Sequence, residues 1–277
     1  MIWKRPYPGG PRRLLRRLLG RRHPGRVFVD DVHEASPLLQ STPADVERWN
    51  GEWFDYLRRE WRNQLTPYTA LSEKPPLPAD PIELLDLSVG LDWKLNLYCD
   101  RDALEGKRVM ELGCGCGNLA KQIARYVESY LGADYSTMAL QIARLVSPPN
   151  CTYVHVSDRE GLASFHGQID TVIGRYFWIH QNLRLARQNL EFLELFLKPG
   201  GRLYADFFWP DPQVEQFVVL APDQPLSKTY PSAMFQYTHE DVQRLIADRP
   251  FRLLRETLSR RMQRRYVVLE KLGSAGP

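Results

Sequence analysis

The segment that most restricts this chain is Arg108-Val-Met-Glu-Leu-Gly-Cys-Gly-Cys-Gly117, followed at once by Asn118-Leu-Ala-Lys-Gln-Ile-Ala. The run from Arg108 to Leu112 is short and apolar, as a buried strand requires, and the residues after Gly117 have helix-forming composition. Between them stand Gly113, Gly115 and Gly117. A strand that enters a helix through such a turn brings backbone N–H groups against a ligand at the helix N-terminus. Side chains would block that approach, and some turn positions demand positive φ. The expectation is an open α/β sheet whose ligand sits at the carboxyl ends of its strands.

The turn by itself admits two cofactors. Gly115, Gly117 and Ala120 satisfy the GxGxxG/A pattern of dinucleotide binding, so a nucleotide-dependent oxidoreductase is one alternative. Asp134 ends the next apolar run, Tyr130-Leu-Gly-Ala-Asp134. It stands about 20 residues beyond the turn, where a carboxylate can hold the ribose hydroxyls of either cofactor.

Later landmarks separate the two. The string Glu111-Leu-Gly-Cys-Gly-Cys-Gly117 closely resembles the first motif of the class I S-adenosyl-L-methionine (SAM)-dependent methyltransferases, in which an acid precedes a GxGxG turn. Tyr153 to Asp158 is similar to the third strand of that family, Ile169 to Gly174 to the fourth, and Leu197-Lys-Pro-Gly-Gly-Arg-Leu-Tyr204 to its turn into strand five. Phe251 to Leu258 and Tyr266 to Leu272 stand where the family has its last two strands, paired antiparallel at one edge. The resemblance runs from Lys107 to Leu272. It implies a Rossmann-like, doubly wound α/β sheet of seven strands with an antiparallel last strand, to which an N-terminal helical extension is added.

The resemblance also implies SAM as cofactor and distributes its contacts. Gly113 and Gly115 would lie against the methionine moiety, Asp134 would hold the ribose, Tyr135 would pack on the adenine, and Asp158 would accept from its amino group. Glu111, Cys114, Gly117, Ser157 and Arg175 complete the expected cofactor-binding set. For Asp134 and Asp158 the plain alternative is an acid that caps a helix. Cys114 and Cys116 are read as small side chains suited to the turn. No metal is expected, because none of the four cysteines forms a CxxC pair or has a histidine at zinc spacing.

For the acceptor, methyltransferases of exocyclic amines on nucleic-acid bases carry Asn/Asp-Pro-Pro-Tyr/Phe after strand four, whereas this chain has Gly174-Arg-Tyr-Phe177. Charge points the same way. Residues 1–26 hold nine basic side chains and no acid, so in the remainder acids outnumber bases, a poor match to a phosphate backbone. A small or lipid-like acceptor, methylated at oxygen or nitrogen, is the expectation. His180, just past the fourth strand, is the candidate general base, since imidazole is largely neutral near pH 7; Tyr176 is the second candidate. The alternative for His180 is a structural hydrogen bond at a helix end. A SAM-binding module without enzymatic activity is the third functional alternative.

The chain's 277 residues, 43% hydrophobic and 25% charged, suffice for one large α/β domain and an appendage. Residues 1–40 read as a basic, flexible leader. Within it residues 11–22 form a short amphipathic stretch able to lie on an anionic membrane surface, and a start at Val27 or Val29 would remove residues 1–26 entirely. Residues 41–80 read as an aromatic helix followed by a Pro-rich linker. Thr42-Pro43 begins the helix, and Trp49, Trp53, Tyr56, Leu57 and Trp61 recur at helical spacing. That stripe either packs the helix onto the domain or makes it a lid over the active site. Asp80-Pro81 is expected to open another helix through Ile82, Leu84, Leu85 and Leu87. The methyltransferase-like domain spans 81–272 with an insertion at about 206–237, and 273–277 is a tail. No run of 18 apolar residues occurs, and the cysteine usage suits a reducing compartment. The expected location is cytoplasmic, with peripheral membrane contact through the leader as an option.

Overall fold

This computed structural model of the protein describes residues 43–65, 84–85, 95–96, 98–209, 219–224 and 234–273. The basic leader, the linker at 66–80 and the Thr42 cap lie outside the described residues. Helix α1 (Pro43–Leu65) forms where a helix is expected. Strands β1 (Leu84–Leu85) and β2 (Leu95–Asn96) pair antiparallel, which corrects the helix expected through Ile82 to Leu87. An apolar run this short fits either period, and the available partner decides it.

The main sheet then builds from β3 (Arg108–Leu112), β4 (Ser129–Asp134), β5 (Cys151–His155), β6 (Ile169–Gly174), β7 (Leu197–Phe208), β10 (Phe251–Ser259) and β11 (Arg264–Lys271). Helices α2 (Asn118–Ile123), α3 (Thr137–Val146), α4 (Arg159–Ala163) and α5 (Leu183–Glu194) separate the first five of these strands. The spatial order is β10-β11-β7-β6-β3-β4-β5. β3 to β7 are mutually parallel; β11 runs antiparallel to both β7 and β10. The chain therefore steps outward from β3 to β5 and returns to β6 on the other side. That reversal opens a crevice at the carboxyl ends of β3 and β6, where ligands bind in doubly wound sheets.

Both faces of the central strands are buried, as a parallel sheet covered on each side requires. Met110, Leu112, Leu131 and Val172 enter one apolar cluster, while Val109, Tyr130 and Ile173 enter the other. The alternation follows the two-residue period of a strand.

Two boundaries differ from the sequence expectation. The third strand ends at His155, and Asp158 stands two turn residues later as the N-cap of α4. The insertion expected to begin at Asp206 begins later, because β7 pairs with β11 as far as Phe208. Of that insertion, β8 (Val219–Leu220) and β9 (Met234–Phe235) pair parallel. α6 (His239–Ile246) follows from a capping box made by Thr238 and Asp241.

Candidate active site

The glycine turn is built by backbone bonds to the neighbouring strand. The N–H of Gly113 donates to Ala133 O at 2.8 Å and that of Gly117 to Cys114 O at 3.1 Å. The next N–H, that of Gly115, donates to Asp134 Oδ2 at 2.8 Å. Asp134 Oδ1 takes the N–H of Ser136 at 2.7 Å. This carboxylate is thus oriented by two main-chain donors at the carboxyl ends of β3 and β4. Each carboxylate oxygen has two acceptor sites, so both keep capacity for a ligand's hydroxyls. Burial raises the Asp134 pKa, and the N–H groups of Ser136, Gly115 and Tyr135 oppose the rise.

Glu111 lies 1% exposed under the turn and accepts from the Tyr130 hydroxyl. Burial pushes its carboxyl up to about 8 against the pull of Arg175 and of the Tyr130 bond, so near neutral pH its protonated form predominates. Burial likewise raises the Cys114 thiol, and the Cys116 thiol to about 12. Both are inert at neutral pH, in keeping with small side chains filling a turn, and all four cysteines are free.

Two aromatic rings close on the turn. A Cβ on Gly113 would lie 2.6 Å from Cδ2 of Phe177, and one on Gly115 would overlap Cζ2 and Cη2 of the Trp53 indole. Trp53 comes from α1, which docks on the start of α3 through Asn50. Asn50 Oδ1 accepts from Ser136 Oγ at 2.7 Å and from the Met138 N–H at 3.1 Å. Its amide donates to Thr137 Oγ1 at 3.2 Å. Trp49, one turn earlier, meets the His180 ring edge-on at 6.2 Å. α1 therefore bridges from the end of β4 to the segment after β6, across the crevice.

Beyond β5, His155 ties the next residues down. Its Nε2–H donates to Tyr135 O at 3.1 Å, and its Nδ1 lies 2.7 Å from Ser157 Oγ. Ser157 and Asp158 are exposed. Asp158 Oδ1 accepts from the Gly161 N–H at 3.0 Å as the cap of α4. Of the expected cofactor residues the structure brings Glu111, Gly113, Cys114, Gly115, Gly117, Asp134, Tyr135 and Arg175 around one turn. It leaves Ser157 and Asp158 exposed after β5, Ser157 against His155 and Asp158 as the cap of α4.

After β6 the chain makes a tight corner. Tyr176 has φ of 56° and its N–H donates to Asp206 Oδ1 at 2.8 Å. The guanidinium carbons of Arg175 and Arg264 stand 5.2 and 5.1 Å from the centre of its ring. Asp206 is 4% exposed, and burial raises its pKa to about 6 against Arg264, the Tyr176 N–H and Arg175. His180 ends a short 3-10 turn, Trp178–His180, and is half-buried.

Sequence reasoning missed Asn50, Ser136, Phe177, Asp206 and Arg264. Ser136 carried a readable signal, as a serine directly before a helix that bonds the third N–H beyond it. Asp206 carried a weaker one, an acid inside the apolar run of β7. The others act only through distant contacts.

Comparison with known proteins adds the following. Residues 109–201 match the family model described as a methyltransferase domain. A ubiquinone biosynthesis O-methyltransferase from Aromatoleum aromaticum is 31% identical over 138 residues, 48% of this chain and 50% of that protein. Ribosomal RNA small subunit methyltransferase C from Hahella chejuensis is 30% identical over 116 residues, 39% of this chain and 34% of that protein. The chain thus spans about half, or less, of the length of these curated relatives. The solved magnesium protoporphyrin IX methyltransferase from Synechocystis PCC 6803 with bound SAM is 21% identical. It covers 61% of this chain and 71% of that one, with a TM-score of 0.42.

Proposed function

The chain carries a methyltransferase domain of the class I SAM-dependent family, and on that premise we propose that it transfers the methyl group of SAM to oxygen or nitrogen of a small or amphiphilic molecule. The observation that carries this reading is the match of residues 109–201 to a methyltransferase domain; the Asp134 carboxylate, oriented by the Gly115 and Ser136 N–H groups at the crevice edge, supplies the ribose contact it needs. SAM supplies an activated methyl carbon on a sulfonium, and the protein's task is alignment of the acceptor with it. The residues fit that cofactor: Asp134 for the ribose hydroxyls, Tyr135 beside it for the adenine, Gly113 and Gly115 for the methionine moiety, and Arg175 for its carboxylate.

The Trp53 ring edge occupies the side of Gly115 assigned to the methionine moiety. Ring and ligand exclude one another there, so α1 acts as a lid that shifts when the cofactor enters. His180, packed under Trp49 of the same helix, is the candidate base for a hydroxyl acceptor.

The Aromatoleum relative acts, by its name, in ubiquinone biosynthesis as an O-methyltransferase, which favours oxygen of an amphiphilic acceptor. The ribosomal RNA relative supports a second reading, but the acid excess beyond residue 26 weakens it. Calorimetry with S-adenosylhomocysteine (SAH) and with NAD(H) tests the proposal. SAH binding is expected, and binding of NAD(H) alone would replace this reading with an oxidoreductase. Once an acceptor is known, His180→Ala should lower turnover with SAH affinity intact.

A further inference from the structure

The far side of the crevice contains a buried ion pair whose facing atoms have incomplete hydrogen bonding. Arg264 Nε lies 3.4 Å from Asp206 Oδ2, and neither atom has a hydrogen bond although both are fully shielded from solvent. One other atom of each side chain is committed elsewhere. Asp206 Oδ1 holds the Tyr176 N–H, and Arg264 NH1 donates to Met262 O and Gln263 O at 3.3 and 3.0 Å. Buried polar atoms in native proteins are satisfied as a rule, so an acceptor and a donor left open side by side call for an occupant.

The pair sits where an acceptor would approach. Asp206 belongs to the strand next to β6, with Gly174 in register with Ala205. Two strand spacings, about 10 Å, separate β7 from β3 and its glycine turn. Asp206 lines a small cleft together with Tyr98, Gly174, Arg175 and Tyr266. Tyr98 and Tyr266 stack at 4.9 Å and 21° and give that cleft an aromatic wall.

We infer that the Asp206–Arg264 pair is a binding site for a hydroxyl group of the methyl acceptor. A hydroxyl is the group that donates and accepts through one atom. An oxygen about 2.8 Å from each partner donates to Asp206 Oδ2 and accepts from Arg264 Nε, which completes both. An ammonium offers donors alone and a carboxylate acceptors alone, and each would leave one buried atom open. The Asp206 carboxyl, raised to about 6, is ionised at neutral pH and suited to accept. The acceptor is therefore a phenol or alcohol whose ring or chain lies along the tyrosine wall. This inference rests on the methyl-transfer reading.

The test uses the full chain saturated with SAH and three probes: catechol, aniline and benzoate, followed by ligand-observed NMR. Catechol should bind at least tenfold more tightly than either of the others. Asp206→Asn keeps the bond to Tyr176 but changes the second oxygen to a donor, and Arg264→Lys keeps the charge but removes Nε. Each should weaken catechol tenfold or more while SAH affinity and melting temperature hold. If Asp206→Asn does not fold, Arg264→Lys decides alone. Absent catechol binding in the SAH-bound wild type, equal binding of the three probes, or indifference of catechol to the folded variants would overturn the assignment. Failure of SAH itself to bind would instead remove the methyl-transfer reading.

Discussion

The two sides of the crevice are satisfied in different ways. On the β3–β4 side the carboxylate of Asp134 is oriented by main-chain N–H groups of Gly115 and Ser136, and Ser136 is itself held by Asn50. On the β6–β7 side Asp206 Oδ2, Arg264 Nε, Arg175 Nε and Trp178 Nε1 are buried without hydrogen bonds. A site whose donors come from backbone is preorganised before ligand arrives, because its geometry is that of the turn. A site assembled from side chains of several strands, with atoms left open, gains its last bonds from the ligand. In the proposed reading the β3–β4 half receives the cofactor as a built receptor, and the β6–β7 half is the one an acceptor would complete.

The most severe way to break this contrast is Asp134→Ala. Two charge-assisted ribose bonds would go, each worth about 1.5 to 3 kcal/mol, so SAH affinity should fall about 100-fold or more. An unchanged dissociation constant in calorimetry, with the variant folded, would take Asp134 out of the site.

The pH dependence of stability sharpens the contrast, since burial raises acids in both halves, Glu111 and Asp134 in one and Asp206 in the other. Glu111 moves from 4.5 to about 8, so the folded protein keeps a proton that the unfolded chain releases. Its stabilisation is full below pH 4.5 and is lost as pH rises toward 8, at no more than about 1.4 kcal/mol per unit. Asp206, raised from 3.8 to about 6, has the same sign in a lower window. Denaturant midpoints of the ligand-free protein should fall between pH 5 and 8. Glu111→Gln should flatten the whole fall, including the part from 6 to 8, and Asp206→Asn only the part below 6. Equal flattening by both would mean that the two acids titrate as one group.

Trp53→Ala addresses the lid. If the indole must leave Gly115 for the cofactor to enter, removing it should tighten SAH by up to about tenfold, about 1.4 kcal/mol. A tenfold loss would show instead that the ring packs on the bound ligand. The smallest effect is expected from deleting residues 1–26: SAH affinity should stay the same, since the proposed cofactor residues and the α1 lid all lie from Pro43 onward. A concurrent loss of binding to anionic liposomes would assign residues 11–22 to a membrane surface.

The order of strands and the glycine turn were legible because their signals are local. Arg108 to Gly117 contains a strand, a turn and the glycines that let backbone and ring approach, and Asp134 follows within one strand and helix. The placement of α1 was half legible: the Trp49, Trp53, Tyr56 stripe announced an amphipathic helix without saying what it would cover. The helix expected near Leu84 failed because a short apolar run has no period of its own. The β7 boundary shifted because β11, about 60 residues away, pairs with it through Phe208.

What the residues determined alone was thus the pattern readable over ten to thirty neighbours: glycines in a turn between strand and helix, an acid at a strand end, and short apolar runs suited to buried strands. Tertiary structure alone decided that Trp53 lies on Gly115, that Asn50 holds the start of α3, and that Asp206 and Arg264 face each other with open atoms. Those pairs join segments about 60 to 90 residues apart, where chain connectivity imposes no distance and packing of the whole sheet selects the contact.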